Sequence, residues 1–410
     1  MHLRSGMKRA LWFLGAGLVV CIAAAFFWTA RWVGAPSNAS RGAYRTAWSP
    51  KAAASYLDYR EVWWQNWPAA QRDHGTVCIS CHTVLPYALV RPALRQQLGQ
   101  TALTSTERRM LESIEVRVTD WPQTSPYYPD SAHAAPSRAT ESILNAFILA
   151  AYDKTDDKLD PVTRHAFGEA WALQISTGAN AGGWKWQNFN EAPWESSESA
   201  YQGAALMAIA VGCMPEQYRN NPDVESHVTQ LESYLIRNYP AQPSLNQLYV
   251  LRASAYMPGL LSDKQRDRLI AKLVRLQQRD GGWSLASLDR QTAPKKALLD
   301  LAKRVHGGDG SDGCGTGLAI LGLEKAGVGL RNPELQRGLT WLQQHQRQDG
   351  SWWATSLNGP RDASSEVGRF MSDAATGYAV LALEQARKPA SASVQSGTAG
   401  NSTSATSPGE

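Results

Sequence analysis

The chain has 410 residues, of which 43% are hydrophobic and 19% are charged, with 41 basic and 36 acidic side chains. This length and apolar content are sufficient for one large folded domain or two ordinary ones. The net charge of +5 excludes disorder driven by charge repulsion and gives no sign of the concentrated basic face that nucleic-acid binding requires. We therefore expect a folded protein with no nucleic-acid partner.

Residues 1–33 predict a membrane anchor. Residues 10–30 form an uncharged run that lies between Lys8-Arg9 and Arg31. A helix of that length rises about 30 Å, the thickness of a bilayer core. The apolar region of a cleavable signal peptide is shorter, about 7–15 residues. We therefore expect a single-pass, uncleaved anchor, with cleavage after a small residue in 35–40 as the alternative.

The rest of the chain divides into a linker, a repetitive body and a tail. Residues 34–49 are small and polar, which predicts a linker. Residues 389–410 are rich in Ser, Ala, Thr and Gly and have no aromatic residue, which predicts a disordered tail. Residues 50–388 form the body, whose sequence repeats internally.

The body predicts six pairs of helices. Segments that begin at Gly203, Gly317 and Gly377 (GAALMAI, GLAILGL and GYAVLAL) align without gaps and are apolar on nearly every side. Such segments are typical of buried inner helices, and amphipathic segments such as 263–278 and 333–346 are typical of outer ones. Weaker copies bring the number of outer–inner pairs to six, and strand signals are nearly absent. The expected fold is all-α, an (α/α)6 toroid.

A repeated turn motif resembles a known family. The residues Arg337-Gly338-x2-Trp341-Leu342-x3-Gln346-x3-Gly350-Ser351-Trp352 are similar to the QW repeat of the terpenoid cyclase and prenyltransferase superfamily, typified by squalene–hopene cyclase. The resemblance covers about residues 160–387 and implies the toroid. We expect the Gln side chain to satisfy free backbone groups at the end of its outer helix and the Trp side chain to close the turn. One partial copy contains Arg268, Leu273, Gln277, Gly281 and Trp283. A second contains Gln174 and Gly182-Gly183-Trp184.

The catalytic motifs of this superfamily are incomplete in the chain. Squalene cyclases protonate their substrate with an Asp-x-Asp-Asp motif, which does not occur here. Prenyltransferases bind zinc through an Asp-x-Cys element and a later His. Asp312-Gly313-Cys314 resembles that element, whereas residues 373–376 of the next repeat contain no His. The resemblance therefore implies the architecture and does not identify the reaction. Trp184, Trp186 and Trp194 lie in one turn-rich segment beside the cavity, where they either line a site for an apolar or isoprenoid ligand or close the toroid.

Cys78-Ile79-Ser80-Cys81-His82 matches the attachment pattern of c-type haem. In that chemistry the thiols of Cys78 and Cys81 add to the haem vinyl groups, and His82 is the axial ligand of the iron. Haem is attached outside the cytoplasm, so the motif predicts a body on the periplasmic side of the cell inner membrane. Two alternatives remain: a zinc site that uses the same three residues, and a redox-active dithiol or disulfide.

Four further residues are candidates for the site. Met257 precedes a proline in a loop and is a candidate distal haem ligand, or it fills a gap in the core. Glu198, Asp312 and Asp373 each lie at or just before the start of an inner helix. An acid at that position is a catalytic candidate if burial shifts its pKa, and otherwise it caps the helix.

The sequence thus predicts an exported, membrane-anchored c-type haem protein on a squalene-cyclase-like toroid. Its expected role is electron transfer with a redox partner protein, or a haem-dependent oxidoreductase step on a ligand held in the cavity. One alternative is an isoprenoid- or glycan-processing toroid enzyme without haem, which would use acids such as Asp312 and Asp373. Another is a non-catalytic binding module in which the Cys78–His82 motif is structural.

Overall fold

The computed structural model describes residues 43–156, 159–289, 310–358, 361–362 and 364–387. The predicted anchor (1–33) and tail (389–410) lie outside the described residues. Among the helices that are described, none combines the length and the apolar character needed to cross a bilayer. Residues 43–49 of the predicted linker pair with a turn of the body, because the amide of Arg45 donates to the carbonyl oxygen of Gln346 at 2.8 Å.

The prediction of an all-helical body is confirmed over the described residues, which contain fourteen α-helices and only isolated β-bridges. Outer helices alternate with inner helices along the chain. The outer helices are α1 (Pro50–Asn66), α3 (Ser105–Thr119), α5 (Pro161–Ala172), α8 (Pro222–Asn238), α10 (Asp263–Leu276) and α13 (Pro333–Gln344). The inner helices are α2 (Val84–Gln97), α4 (Ala134–Asp156), α6 (Ser199–Cys213), α9 (Ser244–Ala253), α12 (Gly313–Lys325) and α14 (Phe370–Arg387). Two short helices, α7 (Glu216–Arg219) and α11 (Leu285–Asp289), lie in connections.

The outer helices begin at the capping residues that the sequence contains. Thr104 and Ser262 form capping boxes with Glu107 and Gln265, three residues further on. Each box satisfies backbone N–H groups that the first helical turn leaves free. Asp160, Asn221 and Asn332 cap three other outer helices by accepting a backbone N–H, and each of those helices begins with proline.

The inner helices form a closed ring. Each inner helix packs on the next one in the chain, and the last, α14, packs on both α12 and α2. Gly317 of α12 permits one of these close contacts, since a Cβ there would lie 2.5 Å from the carbonyl carbon of Tyr378 on α14. The side chains between the two layers form the buried core. This arrangement is consistent with the predicted α/α toroid of six hairpins.

The three turn motifs make the same hydrogen bonds. The Gln and Trp side chains of each motif have roles different from those expected. The indole N–H groups of Trp352, Trp283 and Trp184 donate to carbonyl oxygens in the last turns of their outer helices, at 2.7–2.9 Å. The Trp, rather than the Gln, therefore satisfies the helix end. The Gln instead links the turn to the next outer helix.

Gln346 makes this link at the closure of the ring. Its Nε2 donates to the carbonyl oxygens of Gly350 in its own turn (3.0 Å) and of Ser49 (3.1 Å), and its Oε1 accepts from the amide of Ser49 (2.6 Å). Ser49 is the N-cap of α1, so the last outer helix is joined to the first. Gly350 has φ 93°, and a Cβ there would lie 2.1 Å from the oxygen of Ala52, so this turn requires glycine.

Candidate functional site

The Cys78–His82 segment lies in the connection from α1 to α2, and only Thr83 separates it from the start of α2. Ser80, between the two cysteines, accepts hydrogen bonds from the amides of Thr83 (3.2 Å) and Val84 (3.1 Å) and thereby satisfies the start of α2. Trp64 on α1 donates from Nε1 to the carbonyl oxygen of Cys78 at 2.7 Å. Hydrogen bonds at Cys78 and at Ser80 therefore fix the segment in place.

Both cysteines of the motif are buried free thiols. Burial raises the pKa of Cys78 to about 12 and raises the pKa of Cys81 as well. They therefore stay protonated near neutral pH and form no disulfide in this structure. The zinc alternative lacks a ligand cluster, because no three or more His, Cys, Asp or Glu side chains in the described part of the chain converge on a metal position.

His82 is held among aromatic rings. It stacks on Phe370 of α14 with 4.0 Å between ring centroids, and Trp64 meets it edge-on at 5.3 Å. Burial, with smaller effects from the charges of Arg60 and Arg361, lowers the pKa of His82 to about 3. Its imidazole is therefore neutral at any pH at which the protein is expected to work.

The hydrogen bonds around His82 determine which ring nitrogen carries the proton. Nδ1 lies 2.8 Å from Oγ1 of Thr83, and that hydroxyl donates its one proton to Oδ2 of Asp373 at 2.7 Å. Thr83 can therefore only accept from His82, so Nδ1 carries the proton and Nε2 has a free lone pair. Among the described residues, Nε2 has no hydrogen-bond partner. His82 can thus accept a hydrogen bond or coordinate a metal ion.

Asp373, one of the predicted acids, is the centre of a buried network. Arg60 of α1 contacts both of its oxygens (2.6 and 2.9 Å), and Tyr56 and Thr83 each donate to one of them. Burial raises the pKa of Asp373, and the hydrogen bonds and charge of Arg60 oppose that rise. Arg60 also ion-pairs with Glu366 and is fully buried. Asp373 therefore positions His82 through Thr83 and has no oxygen left to contact a substrate.

A second buried network lies on the other side of the Cys78–His82 segment. Arg117 of α3 ion-pairs with Glu141 of α4 and with Asp73, and its Nη1 also donates to Thr76 at 3.1 Å. The guanidinium lies over the ring of Tyr127 at 4.6 Å, and the hydroxyl of Tyr127 accepts from the amide of Ile79 at 3.3 Å. The segment is therefore fastened to the outer layer on both sides.

A cavity of about 270 Å³ opens beside His82, and we call it the N-terminal cavity because its residues precede or begin inner helices. Glu195 contributes a carboxyl group that the sequence analysis did not single out. Burial, and then the neighbouring Glu191, raise the pKa of Glu195 to about 7. Glu191 ion-pairs with Arg361 at 3.0 Å. The lining consists of His82, Phe189, Glu191, Ala192, Trp194, Glu195, Ser356, Asn358, Arg361, Phe370 and Met371.

The signal for Glu195 was present in the sequence but ambiguous. The loop before α6 contains Trp184, Trp186 and Trp194 and three glutamates, and only Glu198 stands directly at the helix start. In the structure Glu198 is the residue before α6, makes no side-chain capping bond and does not line the N-terminal cavity. A β-bridge between Glu191 and Glu195 folds the loop back and presents Glu195 to the cavity.

Asp312 caps a helix, which the sequence analysis gave as the alternative to a catalytic role. Its carboxylate accepts from the amides of Gly315 (2.7 Å) and Leu285 (2.6 Å) at the start of α12. Burial raises the pKa of Asp312 to about 7, and these hydrogen bonds oppose the rise. It does not line the N-terminal cavity. Asp312 therefore joins α12 to the preceding turn.

Met257 does not lie near His82. It is buried just after the C-terminal end of α9, next to Tyr256, which lines a different cavity formed by the C-terminal ends of the inner helices. The structure thus places Met257 and His82 at opposite ends of the ring, because the inner helices run in the same direction around it. Met371, at the start of α14, is the methionine that shares the N-terminal cavity with His82.

Comparison with known proteins gives one family match. The model of the squalene-hopene cyclase C-terminal domain matches residues 249–361 and 307–409, which together cover less than half of the chain. No curated protein matches significantly. Two solved structures described as a glycosidase, one a variant and one the wild type, have TM-scores of 0.48 and 0.46, each at 12% identity over 82% of this chain and 97% of the other. The chain is thus similar over residues 249–409 to the squalene-hopene cyclase C-terminal domain, within a cyclase-like α/α toroid.

Proposed function

We propose that the chain is a toroid enzyme that processes a glycan in the N-terminal cavity, with Glu195 as its acid–base group. The observation that carries this proposal is a carboxyl group with a pKa of about 7 in the same cavity as the neutral imidazole of His82. A catalytic acid or base is most effective when its pKa lies near the working pH. Asp312 and Asp373, the acids expected from the sequence, are both occupied by structural hydrogen bonds.

The lining favours a sugar over an isoprenoid as the substrate. Phe189, Trp194 and Phe370 supply flat apolar surfaces, and Asn358 and Ser356 supply hydrogen-bonding groups. A sugar ring has apolar faces and hydroxyl groups at its edge, so both kinds of group find partners. An isoprenoid chain would leave the polar groups unpaired at a cost in binding free energy.

The chemistry we propose is hydrolysis of a glycosidic bond. Below a pH of about 7, the protonated Glu195 donates its proton to the oxygen that leaves the sugar, which is the general-acid role in this reaction. Glu191, paired with Arg361, is the second carboxyl group that such a reaction requires. Nε2 of His82 accepts a hydrogen bond from a substrate hydroxyl, and Asp373 and Thr83 keep the imidazole in the required tautomer.

The test is hydrolysis of a panel of nitrophenyl glycosides and polysaccharides by the full chain. We expect Glu195→Gln to lower kcat/KM at least 100-fold, within the range of about 10²–10⁴ for general acid catalysis. Activity of the wild type should fall as the pH rises through about 7, because the acid loses its proton. Glu225→Gln, an exposed glutamate on α8, is the matched control. Hydrolysis that is insensitive to Glu195→Gln, or no hydrolysis across the panel, would refute the proposal.

A second candidate, a covalent haem c, is favoured by Cys78, Cys81 and His82 themselves. The donor set fits the group: both thiols are free, and Nε2 of His82 has a lone pair while Nδ1–H is held by Thr83, the usual arrangement for a histidine that ligates a metal. Cys78 and Cys81 would hold the haem and His82 its iron, and the haem would supply one-electron chemistry. It ranks second because the cavity beside His82, about 270 Å³, is below the usual range of about 300–1,000 Å³, and a porphyrin needs much more room than a single sugar ring.

The haem candidate has its own experiment, which does not depend on hydrolysis. The full chain is produced in a host that attaches c-type haem, and its Soret absorbance is compared with that of Cys78→Ala/Cys81→Ala and of the control Cys314→Ala. Loss of absorbance only in the double variant supports haem, and an iron-free wild type rejects it. This candidate also requires a body exported across the inner membrane by the anchor of residues 1–33, with a redox partner there, which cell fractionation tests.

A further inference from the structure

The C-terminal ends of the inner helices enclose a second and larger cavity, of about 870 Å³. We call it the C-terminal cavity. Its charged lining residues are Arg95, Lys154, Arg252, Lys325 and Glu384. Its volume lies within the range of sites that bind small molecules, about 300–1,000 Å³. No residue of the N-terminal cavity is among its lining, so its role is separate from the proposed function.

Three cations of this lining converge. The ammonium groups of Lys154 and Lys325 both lie against the ring of Tyr256, at 4.9 and 5.2 Å from its centroid. Cys213 lies beside them. Burial raises the pKa of its thiol, and the charges of Lys154, Lys325 and Arg252 oppose that rise, so all three charges act on one sulfur atom.

Arg252 is the most informative of the three. It is only 9% exposed, and its guanidinium makes no ion pair or side-chain hydrogen bond within the described part of the chain. Its guanidinium lies 6.0 Å from the ring of Tyr249 and borders the open volume of the cavity. A largely buried arginine is normally paired with a carboxylate. Arg60 and Arg117 follow that rule, and Arg252 does not.

The other charged groups that line the cavity have partners. Arg95 ion-pairs with Glu107 at 3.3 Å, and Glu384 ion-pairs with Arg387 at 3.4 Å. Basic residues in the last turn of a helix are favoured by the helix dipole, and this explains why Lys154, Arg252 and Lys325 occur where they do. It does not explain why the three surround an open volume of this size.

We propose that the C-terminal cavity binds an amphiphilic phosphate monoester. Arg252, Lys154 and Lys325 would hold the phosphate, whose two negative charges and several oxygens suit a site with three cations. The hydrocarbon chain would lie against the apolar part of the lining, which includes Phe147, Ile209 and Leu381. The ligand thus supplies the counter-charge that the described residues do not provide for Arg252.

The experiment is a calorimetric titration of the full chain with octyl phosphate, inorganic phosphate and octyl glucoside. We expect octyl phosphate to bind at least tenfold more tightly than either of the other two probes, because only it has both parts. Arg252→Gln should weaken the binding of octyl phosphate at least tenfold, and Arg266→Gln, on the exposed face of α10, should leave it unchanged. Lys325→Met serves the same purpose if Arg252→Gln fails to fold.

Cys213 provides a second measurement at the site. Octyl phosphate should slow the modification of Cys213 by N-ethylmaleimide, located by mass spectrometry, and octyl glucoside should not. Equal affinities for octyl phosphate and octyl glucoside would reduce the cavity to an apolar pocket and overturn the proposal. Equal affinities of the wild type and both cation variants, or unprotected Cys213 at saturating octyl phosphate, would overturn it as well.

Discussion

Arg60 and Arg117 near the N-terminal cavity differ from Arg252 beside the C-terminal cavity in how their charges are paired. At the N-terminal end, Arg60 and Arg117 each ion-pair with two carboxylates, Asp373 and Glu366 for the first and Glu141 and Asp73 for the second. At the C-terminal end, Arg252 has no carboxylate partner among the described residues. The difference teaches that the charges of Arg60 and Arg117 hold the protein together, whereas the charge of Arg252 is available to a ligand.

The helices themselves favour this division. The first turn of an inner helix carries partial positive charge and favours acids, and the last turn carries partial negative charge and favours bases. Asp373 lies in the first turn of α14, and Glu141 lies within α4 near the same end of the ring. Outer helices bring arginines to these two acids. At the other end, none of the outer helices that the structure describes brings an acid to Arg252.

The largest effect should come from removing an arginine at the paired end. Arg60→Met leaves Asp373 buried without its cation, and breaking a buried pair in this way costs about 3–5 kcal/mol of unfolding free energy. Arg252→Met removes a largely buried charge that has no carboxylate partner among the described residues, and it should leave the unfolding free energy unchanged or raise it. Urea denaturation of both variants measures the contrast. Equal losses would break the distinction between the two ends.

A buried acid that has no arginine partner should lower the free energy of unfolding when it ionises, in contrast to the paired acids. Glu61 on α1 is fully buried, and burial raises its pKa to about 8, opposed by a hydrogen bond from Gln65. Its folded-state pKa is above the unfolded value, so the folded state binds the proton more tightly. Stability should therefore fall as the pH rises from about 5 to 8, by on the order of 3 kcal/mol.

Replacement of this acid isolates its contribution. Glu61→Gln should remove the contribution of Glu61, on the order of 3 kcal/mol between pH 5 and 8, and should stabilise the protein at pH 8, as measured by urea denaturation at several pH values. Glu195 and Asp312, whose pKa values burial also raises to about 7, contribute to the slope of both proteins. Glu225→Gln, which changes an exposed acid, should leave the slope as it is. Equal slopes for the wild type and Glu61→Gln would show that Glu61 is ionised at little cost.

The smallest of the three effects concerns the link that closes the ring. Gln346→Ala leaves the amide of Ser49 and the carbonyl oxygen of Gly350 without their partners, which should cost about 2 kcal/mol. Gln344→Ala, at an exposed position in the last turn of α13, should cost less than about 0.5 kcal/mol. Thermal unfolding of both variants compares them, and indistinguishable midpoints would mean that ring closure depends on helix packing alone.

The sequence predicted the repeating parts of the fold well. Helical periodicity and the recurring Gln–Gly–Trp turns are local signals, and the outer helices predicted at 263–278 and 333–346 lie at Asp263–Leu276 and Pro333–Gln344. The prediction exchanged the roles of Gln346 and Trp352. Backbone groups at the helix end and on the next outer helix both need hydrogen-bond partners, and both lie within reach of the same turn. Composition alone does not decide which side chain reaches which group.

The site was predicted less well because its contacts join distant parts of the chain. Thr83 and Asp373 are 290 residues apart, and Arg60 and Asp373 are 313 apart, so no local pattern indicates that they meet. The same holds for the cavity that His82 shares with Glu195 and Met371. Met257 was predicted as a ligand from its Met-Pro sequence. Its distance from His82 follows from the parallel direction of the inner helices, and a local motif does not encode that direction.

The closure of the ring also fixes an order of events during synthesis. Phe370 and Asp373, which cover His82 and anchor Thr83, are made about 290 residues after the Cys78–His82 segment. At translation rates of about 5–20 residues per second, this interval lasts roughly 15–60 s. Until α14 emerges from the ribosome, the two thiols lack the helix that completes their enclosure. Any covalent modification of Cys78 and Cys81 is therefore expected on the growing or newly released chain, before the last helix docks.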